Sequence, residues 1–274
     1  MPGHIIVASH RRSGTHLTID AIANNLAPYR AGYFNLDTLN ARHAGSVAVD
    51  SAKRKLDTAP HILKTHAHHD LGAFFGNSSQ VISFVESLLN DSKLIYVVRD
   101  GRDVLTSLYY YVQRFRPEIT EVSFSDFIRM KNEFESETCA VDFDRVQYWN
   151  YHLTGWLSRQ DALVASFEGL IDDYESTLNG ISEFVGVDLR GRLVDVRRKA
   201  HPLRHSMVYR AFSKLKRRVI DSRLSVGARL TSVEFRRGTR GDYVKMFSAQ
   251  DLQYFWSVCR NLPPAVFAEP PASR

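Results

Sequence analysis

Four short runs of β-branched and apolar residues recur along this chain, each followed by a helical pattern and none by a hairpin turn. Ile5-Ile6-Val7-Ala8 is the first, His61–Thr65 the second, Lys93-Leu94-Ile95-Tyr96-Val97-Val98 the third and clearest, and Ala162–Phe167 the fourth. Runs of this length without polar alternation read as strands buried on both faces. From Thr15, the positions of Leu17, Ile19, Ala21, Ile22 and Leu26 fit a helix closed by Pro28. Further helices are expected at Val81–Leu89, from Arg102 to about Phe115, near 123–134 and 144–158, and over Leu170–Val185. Strands alternating with helices imply right-handed crossovers and a central, mostly parallel β-sheet flanked by helices, an α/β fold. Residues 29–60 look irregular, and neither an internal repeat nor a linker divides the chain. One domain spanning residues 1–274 is the simplest count.

In such sheets ligands sit beyond the carboxyl ends of the strands, so three strand-to-helix turns carry the functional reading. The first, Ser9-His10-Arg11-Arg12-Ser13-Gly14-Thr15-His16-Leu17, opens a helix. Free backbone N–H groups and the helix dipole suit such a place to phosphate. Arg12 adds a permanent charge, Ser13 and Thr15 add hydroxyl donors, and Gly14 lets the backbone approach closely. A Walker A loop needs a first glycine and a lysine that are absent here, which disfavours a nucleotide triphosphatase.

The second turn runs His61-Ile62-Leu63-Lys64-Thr65-His66-Ala67-His68-His69-Asp70. His66 and His68 share one side of an extended strand, but a third metal ligand would have to come from His69 or Asp70 after a bend, and no familiar metal spacing is matched. A histidine acting as general base beside Lys64 is the favoured reading, with solvated loop histidines the alternative. In the third turn, Arg99 at a strand end presents a fork of donors suited to phosphate, and Ser107 lies eight residues further on. The alternative there is a plain Arg99–Asp103 ion pair.

Charge is unevenly placed. The chain carries 36 Lys/Arg against 30 Asp/Glu, a net +6, yet residues 190–245 alone hold 17 basic and 4 acidic residues, leaving the rest acidic on balance. Such a block suits a polyanionic partner: nucleic acid, a lipid surface or a phosphate-rich small molecule. No zinc-finger spacing or RNA-binding aromatic motif points to nucleic acid. Within 208–230, Phe212, Leu215 and Val219 keep helical spacing beside Lys214, Lys216, Arg217 and Arg218, a pattern open to membrane contact or to packing on the protein itself. Cys139 and Cys259 lack a C-x-x-C partner, no leader-like or membrane-spanning segment is evident, and the chain reads as a soluble cytoplasmic protein.

Together the three turns and their order resemble the sulfotransferases that use 3′-phosphoadenosine 5′-phosphosulfate, over nearly the whole chain. Residues 9–17 are similar to that family's 5′-phosphosulfate loop, Lys64-Thr65-His66 to its Lys-Thr-His segment, and Arg99 through Ser107 to its 3′-phosphate site. Phe167-Glu168 with Leu170 resembles its Tyr-Glu-Asp-Leu strand end, and Arg236-Arg237-Gly238-Thr239-Arg240-Gly241-Asp242-Tyr243 its closing loop. The resemblance implies a P-loop-like fold and metal-free, in-line transfer of a sulfuryl group to a hydroxyl or amine of a small-molecule acceptor. It casts His66 as base, with Lys64 and Arg12 stabilising charge. Arg12, Ser13, Gly14, Thr15 and His16 would meet the 5′-phosphate; Arg99, Ser107, Arg236, Arg237 and Gly238 the 3′-phosphate; and Ser206 another part of the nucleotide. The basic segment 190–245 would form part of the nucleotide cover.

This chain departs from the family pattern at Arg11, where proline is usual, at His16-Leu17, where Thr-Trp often stacks on adenine, and at Phe167, where a tyrosine is usual. No dimer motif is recognisable near Lys245. The competing readings are a small-molecule kinase on a related fold and a non-catalytic nucleic-acid-binding protein. Tyr33, Phe34, Phe74, Phe75 and Tyr109-Tyr110-Tyr111 are candidates either for an apolar acceptor pocket or for core.

Overall fold

Five strands, all parallel, form one sheet in the order β2-β3-β1-β4-β5: β1 (Ile5–Ser9), β2 (Phe34–Asn35), β3 (Ile62–Thr65), β4 (Lys93–Val98) and β5 (Ala162–Ser166). The computed structural model describes residues 3–29, 32–42, 45–131, 142–199 and 240–267. β1 is central because its side chains face protein in both directions. Ile5 and Val7 point into one cluster with Ile62, Ile95 and Val97, while Ile6 and Ala8 join Leu63, Leu94, Tyr96 and Val98 in the other. The continuous apolar runs of the sequence are thus two half-cores interleaved at a period of two residues.

Helices cover both faces. Against the first cluster pack α1 (Thr15–Asn25) and α9 (Tyr174–Val185). Against the second lie α2 (Val49–Leu56), α4 (Ser79–Asp91), α5 (Gly101–Val112), α7 (Arg145–Leu157) and α10 (Ala249–Cys259). Among the described residues, short helices α3 (Leu71–Phe74), α6 (Phe124–Arg129) and α8 (Phe167–Asp172) lie between these elements. Local chemistry sets the boundaries: Asp144 and Gln147 form a capping box that starts α7, Ser248 and Asp251 one that starts α10, and Gly186, at φ 74°, ends α9 in the left-handed region.

The helix expected over Leu170–Val185 is two. Asp173 accepts the N–H of Ser176 and restarts the chain as α9, an N-cap strong enough to interrupt an otherwise continuous pattern. The described residues between 29 and 60 hold more structure than their sequence suggests: β2, a 3₁₀ turn at Leu36–Leu39 and α2. β2 escapes a pattern search because only two residues pair with β3.

Register decides where the turns meet. Ala8 pairs with Thr65, Ser9 with Val97, and Val98 with Ser166. The carboxyl ends of β1, β3, β4 and β5 therefore finish level at one rim, and the turns that follow them lie together beyond β1.

Candidate active site

The turn after β1 is tightly wound. Arg12 takes φ 70° and Gly14 φ 101°, and α1 begins at Gly14 with no side-chain cap and no acidic residue in its first turn. A helix start of this kind turns its leading N–H groups toward an anion. Gly14 has a second reason to be glycine: a Cβ there would lie 2.6 Å from Cδ2 of Phe167, at the end of β5. The Phe167 ring also carries the Arg99 guanidinium on its face at 4.3 Å, so one aromatic ring seats both turns.

The two turns are joined further. Arg99 Nη1 donates to the carbonyl of Arg12 at 3.2 Å, and Arg12 Nε donates to Ser107 Oγ at 3.2 Å, with the Arg12 guanidinium 4.7 Å from the Tyr111 ring centroid. Sequence reasoning assigned Arg12 and Ser107 to opposite ends of a nucleotide; the structure brings them into contact. The Arg99–Asp103 pair is present as well, at 3.9 Å. Asp103 in turn accepts the N–H groups of Gly241 and Tyr243 at 2.7 and 3.1 Å, pinning the end of the expected closing loop to α5. Burial raises the Asp103 carboxyl above its ordinary range against the pull of Arg99.

His66 is buried at the end of β3. Its Nδ1 lies 2.8 Å from the carbonyl oxygen of Ser9. A carbonyl can only accept, so Nδ1 carries the proton and Nε2 keeps its lone pair. Burial, then the nearby Lys64 and Arg11 charges, drive the imidazole well below its ordinary pKa of 6.5 and keep it neutral. His16 is brought down to about 4 by burial and by the charges of Lys64 and Arg12, and its ring meets Tyr33 edge-on at 5.3 Å. The histidine turn is braced from α7: Trp156 Nε1 donates to the carbonyl of Ala67 at 2.9 Å and His152 Nε2 to that of His66 at 3.3 Å, while Tyr96 donates its hydroxyl to His152 Nδ1 at 2.9 Å.

His68 is not a companion ligand of His66. It is fully buried among Phe74, Tyr148 and Tyr151. Among the described residues no group of three or more His, Cys, Asp or Glu side chains is placed to hold a metal ion. Of the aromatic residues considered for an acceptor pocket, Phe34, Phe74, Phe75 and Tyr109 belong to the core, whereas Tyr33, Tyr110 and Tyr111 are half-buried. Ser206, Arg236, Arg237, Gly238 and the segment 208–230 lie outside the described residues.

Sequence reasoning missed Asp37. It is buried on the 3₁₀ turn after β2, with Oδ2 3.4 Å from Lys64 Nζ and Oδ1 accepting from Thr65 Oγ1 at 2.8 Å and from the His66 N–H at 2.9 Å. An acid between Leu36 and Leu39 was the available signal, since a carboxylate flanked by residues that bury needs a partner if it is buried with them.

With the cradle and its imidazole in place, comparison with known proteins is decisive: the family model for the sulfotransferase domain matches residues 2–266. The chain belongs to the sulfotransferase family. This sulfotransferase-family chain is 26% identical over 191 residues to guinea pig 3-alpha-hydroxysteroid sulfotransferase, covering 65% of itself and 59% of that relative, so it matches less than two thirds of the relative's length. It is 25% identical over 271 residues to mouse sulfotransferase 2B1, covering 94% and 70%. Among solved structures, mouse sulfotransferase SULT7A1 complexed with PAP superposes with a TM-score of 0.55 at 18% identity, over 94% of this chain and 82% of that one. Retinol dehydratase in complex with androsterone and inactive cofactor PAP gives 0.54 at 17%, over 95% and 80%. These likenesses establish the sulfotransferase fold. No helix among the described residues is long and apolar enough to cross a membrane.

Proposed function

We propose that this chain transfers a sulfuryl group from 3′-phosphoadenosine 5′-phosphosulfate to the hydroxyl of a small-molecule acceptor. The observation that carries the reading is His66: a neutral, buried imidazole with Nε2 open, beside the Lys64 ammonium and level with an uncapped, arginine-bearing helix start. The residues fit the nucleotide by their chemistry. The first-turn N–H groups of α1 with Ser13, Thr15 and Arg12 suit the 5′-phosphate, and Arg99 with Ser107 suits the 3′-phosphate. Arg236, Arg237, Gly238 and Ser206 enter through the family resemblance alone.

The donor supplies a sulfuryl group on a good phosphate leaving group. His66 Nε2 takes the acceptor's hydroxyl proton as its oxygen forms the new S–O bond, and the departing phosphate oxygen keeps the electron pair of the bond that breaks. Lys64 and Arg12 supply the positive charge that balances the negative charge growing on the sulfuryl and phosphate oxygens. Positioning and fixed charge then supply most of the rate, as in phosphoryl transfer. The relatives' names include hydroxysteroid sulfotransferases, and one structural neighbour holds androsterone, which supports a hydroxylated apolar acceptor. Two cysteines far apart in sequence provide no disulfide framework of the secreted kind, which supports a cytoplasmic setting.

The test is an acceptor screen with sulfur-labelled donor over hydroxysteroids, phenols and simple alcohols, run beside a γ-labelled triphosphate. Label transfer from the sulfuryl donor is expected. Transfer only from the triphosphate would turn the assignment to a kinase.

A further inference from the structure

Asp37 uses both carboxylate oxygens on the two chemical groups the reaction needs. Oδ1 accepts from the Thr65 hydroxyl and the His66 N–H, fixing the backbone that carries the base, while Oδ2 faces Lys64 Nζ at 3.4 Å. Thr65 Oγ1 passes the constraint on by accepting from the N–H of Ala67 at 2.9 Å. The acid is itself held: its own N–H donates to Asn35 Oδ1 at 3.3 Å, and that same oxygen accepts from Lys64 Nζ at 3.4 Å. Asp37 and Lys64 have side chains 4% and 6% exposed, so water does little to solvate the ammonium.

We propose that Asp37 is a positioning residue, whose carboxylate keeps Lys64 charged inside the protein and ties that charge to the backbone of His66, so that cation and base stand at a fixed separation. The groups facing Lys64 make the need plain. Arg11 from the turn after β1 brings positive charge, and His16 on α1 and His66 are kept neutral partly by Lys64 itself. Among the described residues acting on Lys64, Asp37 is the one that favours its protonation, against burial and Arg11, which both pull the lysine down. Removing the carboxylate leaves a desolvated cation beside an arginine, and the lysine then sheds its proton at lower pH. The inference relies on the sulfuryl-transfer reading only for its effect on turnover.

The direct measurement follows the Lys64 ¹³Cε resonance over the alkaline range in ligand-free protein, assigned with Lys64→Met. Asp37→Asn is expected to move the Lys64 inflection down by about one pH unit or more, and Asp37→Glu to recover most of it. An unchanged inflection in a folded Asp37→Asn protein overturns the proposal. Should Asp37→Asn fail to fold, the Asp37→Asn/Lys64→Met protein is expected to fold, because both charges leave together; failure of the double variant as well would show that Asp37 serves only the backbone. In turnover, the alkaline limb of kcat/KM should move down with the lysine, whereas a purely structural loss lowers kcat/KM at every pH without moving the limb. If the wild-type protein moves no sulfuryl group at all, the functional reading fails while the resonance still decides the role of Asp37.

Discussion

At Gly14 backbone conformation and packing make the same demand. A left-handed φ of 101° disfavours any side chain, and a Cβ would press on Phe167, the ring beneath Arg99. Gly14→Ala should cost about 1–3 kcal/mol in urea unfolding and weaken nucleotide binding, because the ring can yield only by displacing the arginine. His66→Ala should leave binding nearly intact and lower kcat on the order of 10²–10⁴-fold, the usual share of a general base; near-normal turnover would remove His66 from the chemistry. The imidazoles also set an acid limit. Burial brings His10 and His16 down to about 4 and depresses His66 and His152, so the unfolded chain binds these protons first as pH falls. For His10 and His16 that contribution is complete above about pH 6.5 and lost on descending toward 4; for His10 alone it is on the order of 3 kcal/mol. The buried carboxyls of Asp103 and Glu168 act in the opposite sense but are fewer. The unfolding temperature should therefore be flat near neutrality and fall through that window. His66, Lys64 and Arg12 stand out in the sequence because titratable side chains in short turns between clear strands invite a functional reading. Asp37 does not, because its meaning lies in Lys64 and His66, nearly thirty residues away.

The elements were legible in proportion to their burial. β1 and β4 are apolar on both faces and stand out as unbroken runs, whereas β2 contributes two residues and depends on its neighbour for existence. α7 was visible as an amphipathic stretch, but nothing in its spacing told that His152 and Trp156 would hold the backbone of the histidine turn. The same holds for Asp103, which reads from sequence as a partner of Arg99 and proves also to anchor Gly241 and Tyr243. Asp103→Ala strands two N–H donors and leaves Arg99 without its nearest carboxylate. A loss of about 2–4 kcal/mol is expected, together with faster hydrogen exchange at the amides of Gly241 and Tyr243. Unaltered exchange there would separate the loop from α5.

At the scale of the molecule, an all-parallel sheet brings turns from residues 9–17, 65–70 and 98–107 to one rim although they are spread over a hundred residues of chain. That convergence follows from crossover handedness and register, so it could be expected before any coordinates were known. The acceptor side is not written in the same way, since most of the aromatic residues proposed for it fill the core instead. The central claim is that this rim holds a doubly phosphorylated adenosine through Arg99 and the start of α1. Titration calorimetry with 3′,5′-adenosine bisphosphate tests it most directly: the account predicts saturable, one-to-one binding that Arg99→Ala weakens about tenfold or more, and the absence of heat with the wild-type protein, or equal affinity in the two proteins, would contradict it.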